Sequence, residues 1–171
     1  MDEAAVRASR GPFAGRDGHL DAPYWTTPAD VVERMLDLAG LTADDRLIDL
    51  GCGDGRIALA AAGRGARALG IDLDPGRIAE ARLAAAAAGL ESLTSFRKED
   101  LFETPLADAT VVSLYLLAHV NRLLERRLRR FLRPGSRVVS HAYPIGGWEP
   151  TRSVETPDRR RLYLWVVASV A

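Results

Sequence analysis

Three glycines follow a short apolar run that carries a single carboxylate. The run covers residues 46–50, with Asp49 inside it, and the glycines that follow are Gly51, Gly53 and Gly55. Glycines at such positions let the backbone adopt positive φ angles and let a ligand approach it closely. The pattern therefore predicts a buried strand, then a ligand-binding turn, then a short helix.

The spacing of the glycines indicates which ligand this turn binds. A dinucleotide-binding turn has the pattern G-x-G-x-x-G, whereas here the third glycine comes one residue early, at Gly55, and Arg56 takes the expected position. A carboxylate inside the strand, Asp49, also suits a cationic amino group better than a pyrophosphate. We therefore expect S-adenosylmethionine, which has an amino group, a sulfonium and no phosphate, and we disfavour a nicotinamide dinucleotide.

Two further acidic segments follow at the ends of the next two predicted strands. Asp72 is placed to accept hydrogen bonds from both ribose hydroxyls of such a ligand, whereas Asp74, just before a proline, is the better helix cap. Asp100 is the candidate acceptor for the adenine amino group, with Glu99 as the alternative, and the amide of Leu101 would donate to the ring. Carboxyl ends of parallel strands share one edge of a sheet, where such folds bind ligands.

Strands and helices alternate along most of the chain, which favours a parallel sheet covered by helices on both faces. The predicted strands are residues 46–50, 67–72, 93–97, 109–114, 136–141, 152–155 and 161–169. The predicted helices are one beginning at Pro28 with Thr27 as its cap, then residues 57–62, 75–88 and 120–132. The last two strands form a hairpin, so we predict a Rossmann-like α/β fold. Its sheet is seven-stranded and mostly parallel, with a C-terminal antiparallel hairpin strand.

Length and charge limit the classes of protein to be considered. A chain of 171 residues suits one domain, which we assign to residues 22–171 after a mobile N-terminal arm over residues 1–21. Basic and acidic residues both number 23, so no net charge attracts nucleic acid or a membrane. The single cysteine, Cys52, excludes an internal disulfide. Because the first ten residues lack a signal-peptide pattern and the longest apolar run is too short to span a bilayer, we expect a cytoplasmic protein.

The glycine turn, Asp72 and Asp100 resemble the cofactor motifs of class I, seven-stranded S-adenosylmethionine-dependent methyltransferases. Three further segments are similar to the small archaeal protein-lysine methyltransferases and their mitochondrial relatives. These segments are residues 23–28, residues 109–117 with Val120 and Asn121, and residues 134–141 with Gly147 and Trp148. The resemblance extends over roughly residues 22–169 and implies the Rossmann-like methyltransferase fold.

The resemblance also implies a set of cofactor-binding residues. In that family a Tyr-x-x-Thr-Pro segment folds over the methionine end of the cofactor, and it matches Tyr24, Thr27 and Pro28 here. The complete expected set is Tyr24, Thr27, Asp49, Gly51, Cys52, Gly53, Asp72, Leu73, Asp100 and Leu101. Within it, we expect Cys52 to serve packing or backbone contact rather than thiol chemistry.

The activity implied by the resemblance is N-methylation of exposed lysines on a protein substrate. The first alternative is the same chemistry on a small metabolite, and the second is a protein that binds S-adenosylmethionine without catalysis. A predicted strand that ends in Ser113-Leu-Tyr-Leu lacks the Asn/Asp-Pro-Pro-Tyr motif that grips a planar amide, which argues against methylation of nucleobases or glutamine. The sequence has no cluster of His, Asp and Glu residues that would predict a metal site.

Aromatic and polar side chains after the later strands are candidates for the rim of the substrate pocket. They are Trp25, Tyr115, His119, Asn121, His141, Tyr143 and Trp148. Tyr115 is the preferred pocket residue because it directly follows the fourth strand. For His141 a partly buried, hydrogen-bonded histidine is favoured over a base, and for Trp148 core packing is favoured. Apolar residues share the last predicted helix with a basic run; they are Leu124, Leu128, Phe131 and Leu132, and the run is Arg122, Arg126, Arg127, Arg129, Arg130 and Arg133. We expect this run to form a solvated helix face rather than a nucleic-acid patch, since no aromatic residues alternate with the arginines and the chain is neutral overall.

Overall fold

The computed structural model describes residues 25–169. The predicted N-terminal arm and Tyr24 lie outside the described residues. The helices are α1 (Ala29–Leu38), α2 (Arg56–Gly63), α3 (Pro75–Ala88) and α4 (Ala118–Phe131). The strands are β1 (Arg46–Leu50), β2 (Arg67–Asp72), β3 (Thr94–Lys98), β4 (Val111–Leu114), β5 (Arg137–His141), β6 (Arg152–Glu155) and β7 (Arg161–Val166).

All these strands belong to one seven-stranded sheet with the order β3-β2-β1-β4-β5-β7-β6. Strands β1 to β5 pair in parallel, while β7 is antiparallel to β5 and to β6. This confirms the predicted fold class, including the C-terminal hairpin. The carboxyl ends of β1, β2, β3, β4 and β5 consequently meet at one edge of the sheet, which is called the carboxyl edge below.

The two faces of the sheet have separate apolar cores. On one face, α1, α2 and α3 pack over residues such as Leu47 and Val111. On the other face, α4 packs its buried Leu124 and Leu128 against a cluster that contains Trp165. Because side chains alternate between faces along a strand, both faces of β1 are buried, which explains the apolar Leu47, Ile48 and Leu50 within it.

Helix α1 begins one residue later than predicted, and its cap is different. Pro28 is the cap residue, and its carbonyl oxygen accepts hydrogen bonds from the amides of Val31 and Val32. Thr27 was expected to cap the helix, but no side chain does so. Its hydroxyl lies instead 3.3 Å from Nδ1 of His141. The threonine therefore joins the start of α1 to the end of β5, a contact that local sequence cannot reveal.

The other element boundaries agree with the sequence predictions to within three residues, and the α3 cap is confirmed. The Asp74 carboxylate accepts hydrogen bonds from the amides of Gly76 and Arg77 at the helix N-terminus. Gly89 ends the helix in the left-handed conformation, with φ of 67°. The arginines of α4 are mostly exposed, as predicted. One aromatic residue does lie among them, however: the ring of Phe131 is contacted by Arg127 and Arg130.

Gly70 in β2 provides a test of the tight packing beneath the glycine turn. A Cβ at this position would lie 2.6 Å from the Phe96 ring and 2.9 Å from Cβ of Cys52. We expect Gly70→Ala to lower the free energy of unfolding by about 1–3 kcal/mol through overpacking. Gly63→Ala is the matched control, because nothing lies within 4 Å of its added Cβ. Urea denaturation of both variants checks this, and equal stability of the two would contradict it.

Candidate cofactor-binding site

The glycine turn after β1 has the strained backbone that its sequence predicts. Gly51, Gly53 and Gly55 have φ angles of 81°, 53° and 82°. The amides of Gly51 and Cys52 both donate to the carbonyl oxygen of Ile71 in β2, which fixes the turn to the sheet. A Cβ on Gly55 would lie 2.8 Å from Ala81 of α3, so this glycine also allows the turn to pack closely against that helix.

Asp49 is a buried carboxylate at the base of this turn, with 2% of its surface exposed. The register of the sheet places it opposite Ser113 of β4. The hydroxyl of Ser113 donates a hydrogen bond of 2.8 Å to one Asp49 carboxylate oxygen. Sequence reasoning missed Ser113, because only the pairing of β1 with β4 brings the two residues together.

Burial raises the pKa of the Asp49 carboxyl to about 7, while the hydrogen bond from Ser113 acts in the opposite direction. The neighbouring carboxylates of Asp72 and Asp54 raise this pKa further. A cationic group bound beside Asp49 would stabilise its charged form. The site therefore has a place for a positively charged ligand group at the end of β1.

Asp72 lies at the carboxyl edge, where it also supports the glycine turn. One carboxylate oxygen accepts from the amide of Gly53 at 2.9 Å, and the other accepts from the amide of Asp74 at 2.9 Å. Each carboxylate oxygen can accept a second hydrogen bond. Asp72 can therefore hold the turn and bind two ligand hydroxyls at the same time.

The predicted adenine-binding segment follows β3 at the same edge. An Asp100 carboxylate oxygen accepts from the amide of Phe102 at 2.8 Å, which holds the chain in a tight turn. Leu101 is partly buried against the apolar core. Leu73, after β2, is 46% exposed and leaves an apolar side chain at the surface beside Asp72.

Arg56 connects the glycine turn to the segment before α1. Its guanidinium contacts the carboxylate of Asp54 at 2.6 Å and donates to the carbonyl oxygen of Thr27 at 3.0 Å. Arg56, which takes the place of the third glycine of the dinucleotide pattern, is thus bound both to the glycine turn and to the segment before α1. Thr27 belongs to the segment that was expected to cover the cofactor. Sequence reasoning used Arg56 only to exclude a dinucleotide and missed this link.

Tyr115 and His141 lie together at the ends of β4 and β5. Their ring centroids are 4.2 Å apart, and the Tyr115 hydroxyl accepts a 2.7 Å hydrogen bond from Arg160. His141 is fully buried, and its Nε2 has no hydrogen-bond partner among residues 25–169. Burial lowers the pKa of His141 to about 4, and the charge of Arg160 acts in the same direction. The imidazole is therefore neutral at pH 7 and too weak a base to take a proton from an ammonium group.

The other candidates for the pocket rim differ in position. Trp25 and His119 are exposed. Asn121 is buried and donates to the carbonyl oxygen of Tyr143 at 3.1 Å, a structural role in shaping the loop after β5. Trp148 packs against Trp165, with ring centroids 6.0 Å apart, as the packing interpretation expects.

The described residues also show the state of the single cysteine, the grouping of metal-ligand side chains and the length of apolar helices. Cys52 is buried, and desolvation raises the pKa of its thiol far above the usual range, so this thiol is unreactive. Residues 25–169 contain no group of three or more His, Cys, Asp or Glu side chains placed to hold a metal ion. Nor does any helix within that range have the length and hydropathy needed to cross a bilayer.

The hydrogen-bond acceptors at the carboxyl edge fit a nucleoside that carries a cationic substituent. Three carboxylates, Asp49, Asp72 and Asp100, lie near the carboxyl ends of three adjacent strands. The nearby guanidinium of Arg56 is bound to Asp54 and Thr27. Such a site offers acceptors for an ammonium group, ribose hydroxyls and an adenine amino group. This fold and site define the class I methyltransferases.

The chain belongs to the family of ANTKMT methyltransferase domains, whose profile matches residues 49–152. It is 40% identical over 150 residues to a protein-lysine N-methyltransferase of Saccharolobus islandicus, covering 85% of this chain and 93% of that relative. It is 39% identical to the adenine nucleotide translocase lysine N-methyltransferase of Mus musculus, covering 82% of this chain and 62% of the relative.

A solved structure has the same fold over nearly its whole length. It is described as an RNA methyltransferase from Salinibacter ruber in complex with S-adenosyl-L-homocysteine. The TM-score is 0.83 and the identity 44%, covering 86% of this chain and 96% of that one. The fold and the methyltransferase family are thus supported by both sequence and structure, whereas these relatives differ in the substrate that their names give.

Asp49 should make stability depend on pH in a defined window. The pKa of its carboxyl is raised from 3.8 to about 7, so the folded state keeps this proton up to a higher pH than the unfolded state does. The folded state therefore loses stability as the pH rises from about 4 to about 7. We expect the stability of Asp49→Asn relative to wild type to increase by about 2–3 kcal/mol between pH 5 and pH 8. Urea denaturation at both pH values measures this difference.

The exposed Asp44 provides the control for this experiment. Asp44→Asn should show the same stability relative to wild type at both pH values. If Asp49→Asn also shows no dependence on pH, the carboxyl of Asp49 is not perturbed by burial.

Asp72 and Asp74 form a matched pair that separates ligand binding from helix capping. We expect Asp72→Ala to weaken S-adenosylmethionine binding at least tenfold, since two hydrogen bonds to a carboxylate contribute roughly 1.5–3 kcal/mol each. Asp74→Ala should cost about 1 kcal/mol of stability through loss of the α3 cap and leave the affinity unchanged. Isothermal titration calorimetry measures both affinities. Equal affinity of wild type and Asp72→Ala would refute the ribose assignment.

Proposed function

We propose that this protein transfers methyl groups from S-adenosylmethionine to lysine side chains of other proteins. The observation that carries the proposal is the 40% identity to a protein-lysine N-methyltransferase over 93% of the length of that relative. The arrangement of carboxylates at the carboxyl edge supports the choice of cofactor. A macromolecular substrate would supply its own covering surface to this part of the molecule, where Trp25 and Leu73 are exposed.

The cofactor-binding roles follow from the chemistry of each side chain. The methionine amino group would lie at Asp49 and the turn of Gly51, Cys52 and Gly53. Asp72, with Leu73 beside it, would hold the ribose. Asp100 and the amide of Leu101 would bind the adenine. Tyr24 and Thr27 would close over the methionine end, with Arg56 holding the Thr27 carbonyl in place.

S-adenosylmethionine, when bound, supplies a methyl group on a positively charged sulfur. The protein must align a neutral amine with that group. Making a lysine neutral at pH 7 costs about 4–5 kcal/mol, because its ordinary pKa is near 10.4. Burial and nearby positive charge lower the pKa of an amine. The guanidinium of Arg160, which donates a hydrogen bond to the Tyr115 hydroxyl, supplies such a charge at this end of the sheet. No strong base is required, which agrees with the neutral His141.

RNA is the second candidate substrate. The Salinibacter ruber structure, described as that of an RNA methyltransferase, favours it, as does the exposed Phe131 beside Arg127 and Arg130 on α4. Against it, the chain has a formal net charge of zero, whereas RNA binding usually relies on a strongly basic surface. We therefore place protein lysine first. A small-metabolite substrate and a non-catalytic cofactor-binding role are the remaining alternatives, and a cytoplasmic location stays a prediction.

The deciding experiment uses the full chain, an extract and S-adenosylmethionine labelled in its methyl group. Protein, RNA and small-molecule fractions are separated and counted, and labelled protein is hydrolysed to amino acids. Label recovered as methyl-lysine supports the proposal. Label confined to RNA or to small molecules overturns the lysine assignment, and cofactor binding without label in any fraction indicates a non-catalytic protein.

The nucleophile should also determine the pH dependence of the rate. If it is a lysine amine, we expect the rate at subsaturating substrate to rise towards pH 9, because the neutral fraction of an amine with a pKa near 10.4 grows about tenfold per pH unit. Initial rates on a lysine peptide between pH 7 and pH 9 measure this. A flat profile would argue for another nucleophile or for slow product release.

A further inference from the structure

The tip of the β6–β7 hairpin stands at the carboxyl edge of the sheet. Strand β7 is antiparallel to β5, and its residue Leu162 pairs with His141 at the end of β5. The amide of Ala142 donates to the carbonyl oxygen of Arg161 at 2.7 Å. The turn that precedes β7, residues 156–160, therefore lies beside the end of β5 and next to the Tyr115–His141 pair.

This turn is held rigidly by a buried threonine. Thr156 is 3% exposed. Its hydroxyl donates to the carbonyl oxygen of Arg160 at 2.9 Å and lies 3.1 Å from the Arg160 amide, while its backbone amide and carbonyl bind Arg160 and Arg159. It also contacts the carboxylate of Asp158. The turn thus presents its outer residues in one fixed geometry.

Two arginines occupy the outer part of the turn. Arg160 is exposed at its end, and its guanidinium donates to Tyr115 and lies 3.4 Å from Asp158. Arg159 has a positive φ of 63°, a conformation that a glycine or asparagine would adopt more easily. Its exposed side chain makes no ion pair within residues 25–169. An exposed charged side chain in this uncommon conformation, next in sequence to the arginine that contacts Tyr115, is a candidate for ligand binding.

We propose that Arg159 and Arg160 bind a carboxylate next to the target lysine, so that the enzyme prefers lysines flanked by aspartate or glutamate. The inference rests on the proposed lysine methylation and specifies which lysines are selected. Arg160 already touches the pocket residue Tyr115, so a side chain bound to it lies beside the residue entering the pocket. Asp158 neutralises only part of the charge of the two arginines.

The charges near the tip favour an acidic protein segment over RNA. Besides the two arginines, the charged residues of the tip are Asp158 and the strand-register partners Glu155 and Arg161. The excess of positive charge is therefore small. It suits one or two carboxylates, whereas a nucleic-acid backbone requires contacts to many phosphates.

The test measures methyl transfer by the full chain to three peptides of equal length. The central lysine is flanked by glutamate in the first peptide, by glutamine in the second and by arginine in the third. For wild type at low salt, we expect kcat/KM to be about fivefold higher for the glutamate peptide than for the glutamine peptide. Added salt should reduce this preference, since exposed charges are screened.

Variants of the tip should change the preference rather than the folding. Arg159→Gln combined with Arg160→Gln should remove the preference for glutamate, and Arg159→Glu alone should move it towards the arginine peptide. The control is the pair Arg46→Gln and Arg67→Gln, which removes two exposed arginines from the opposite edge of the sheet, where β1 and β2 begin. It should retain the wild-type preference. Thermal unfolding verifies that each variant is folded.

The outcomes separate this inference from the function on which it depends. Equal rates on all three peptides by wild type overturn the inference and leave lysine methylation intact. A glutamate preference that survives in folded Arg159→Gln/Arg160→Gln also overturns it. If wild type methylates none of the peptides and labels RNA instead, the proposed function fails, and the inference fails with it.

Discussion

The buried carboxylate of Asp49 is the constraint on which the site depends. A charged group at the end of a buried strand is costly unless it has partners. Ser113 supplies one hydrogen bond from β4, and the neighbouring acids Asp72 and Asp54 make ionisation harder rather than easier. The carboxylates around Asp49 therefore disfavour its ionisation, and a cationic ligand group would relieve this. Stability would then be given up at a binding site, as is common at functional sites.

A second set of contacts joins the glycine turn to the Tyr115–His141 pair. Arg56 binds Asp54 in the glycine turn and the carbonyl of Thr27, while the Thr27 hydroxyl meets His141 at the end of β5. His141 in turn lies against Tyr115. The segment before α1 thus contacts both the turn that would hold the methionine group and the residues at the candidate substrate pocket.

Most of the fold could be predicted, because its signals are local. Apolar runs ending in glycine or aspartate located the strands, and Asp74 with Gly89 bounded α3 correctly. The cap of α1 was predicted wrongly, because a threonine before a proline is also a good cap by local rules, and only the fold shows that its hydroxyl lies at His141. Phe131 was counted with the apolar residues of α4, and only the fold shows that its ring is exposed beside Arg127 and Arg130.

The sequence by itself determined the class of protein and located three carboxylates, Asp49, Asp72 and Asp100, that the fold brings to the carboxyl edge. Glycine spacing and strand-terminal acids are local features, and in a parallel sheet they must meet at one edge. Only the tertiary structure decided which distant residues complete the site. Ser113 faces Asp49 because β1 pairs with β4, and Arg160 reaches Tyr115 because β7 enters the sheet beside β5. Strand order and register arise from packing across the whole sheet, and a one-residue shift in register would break both contacts.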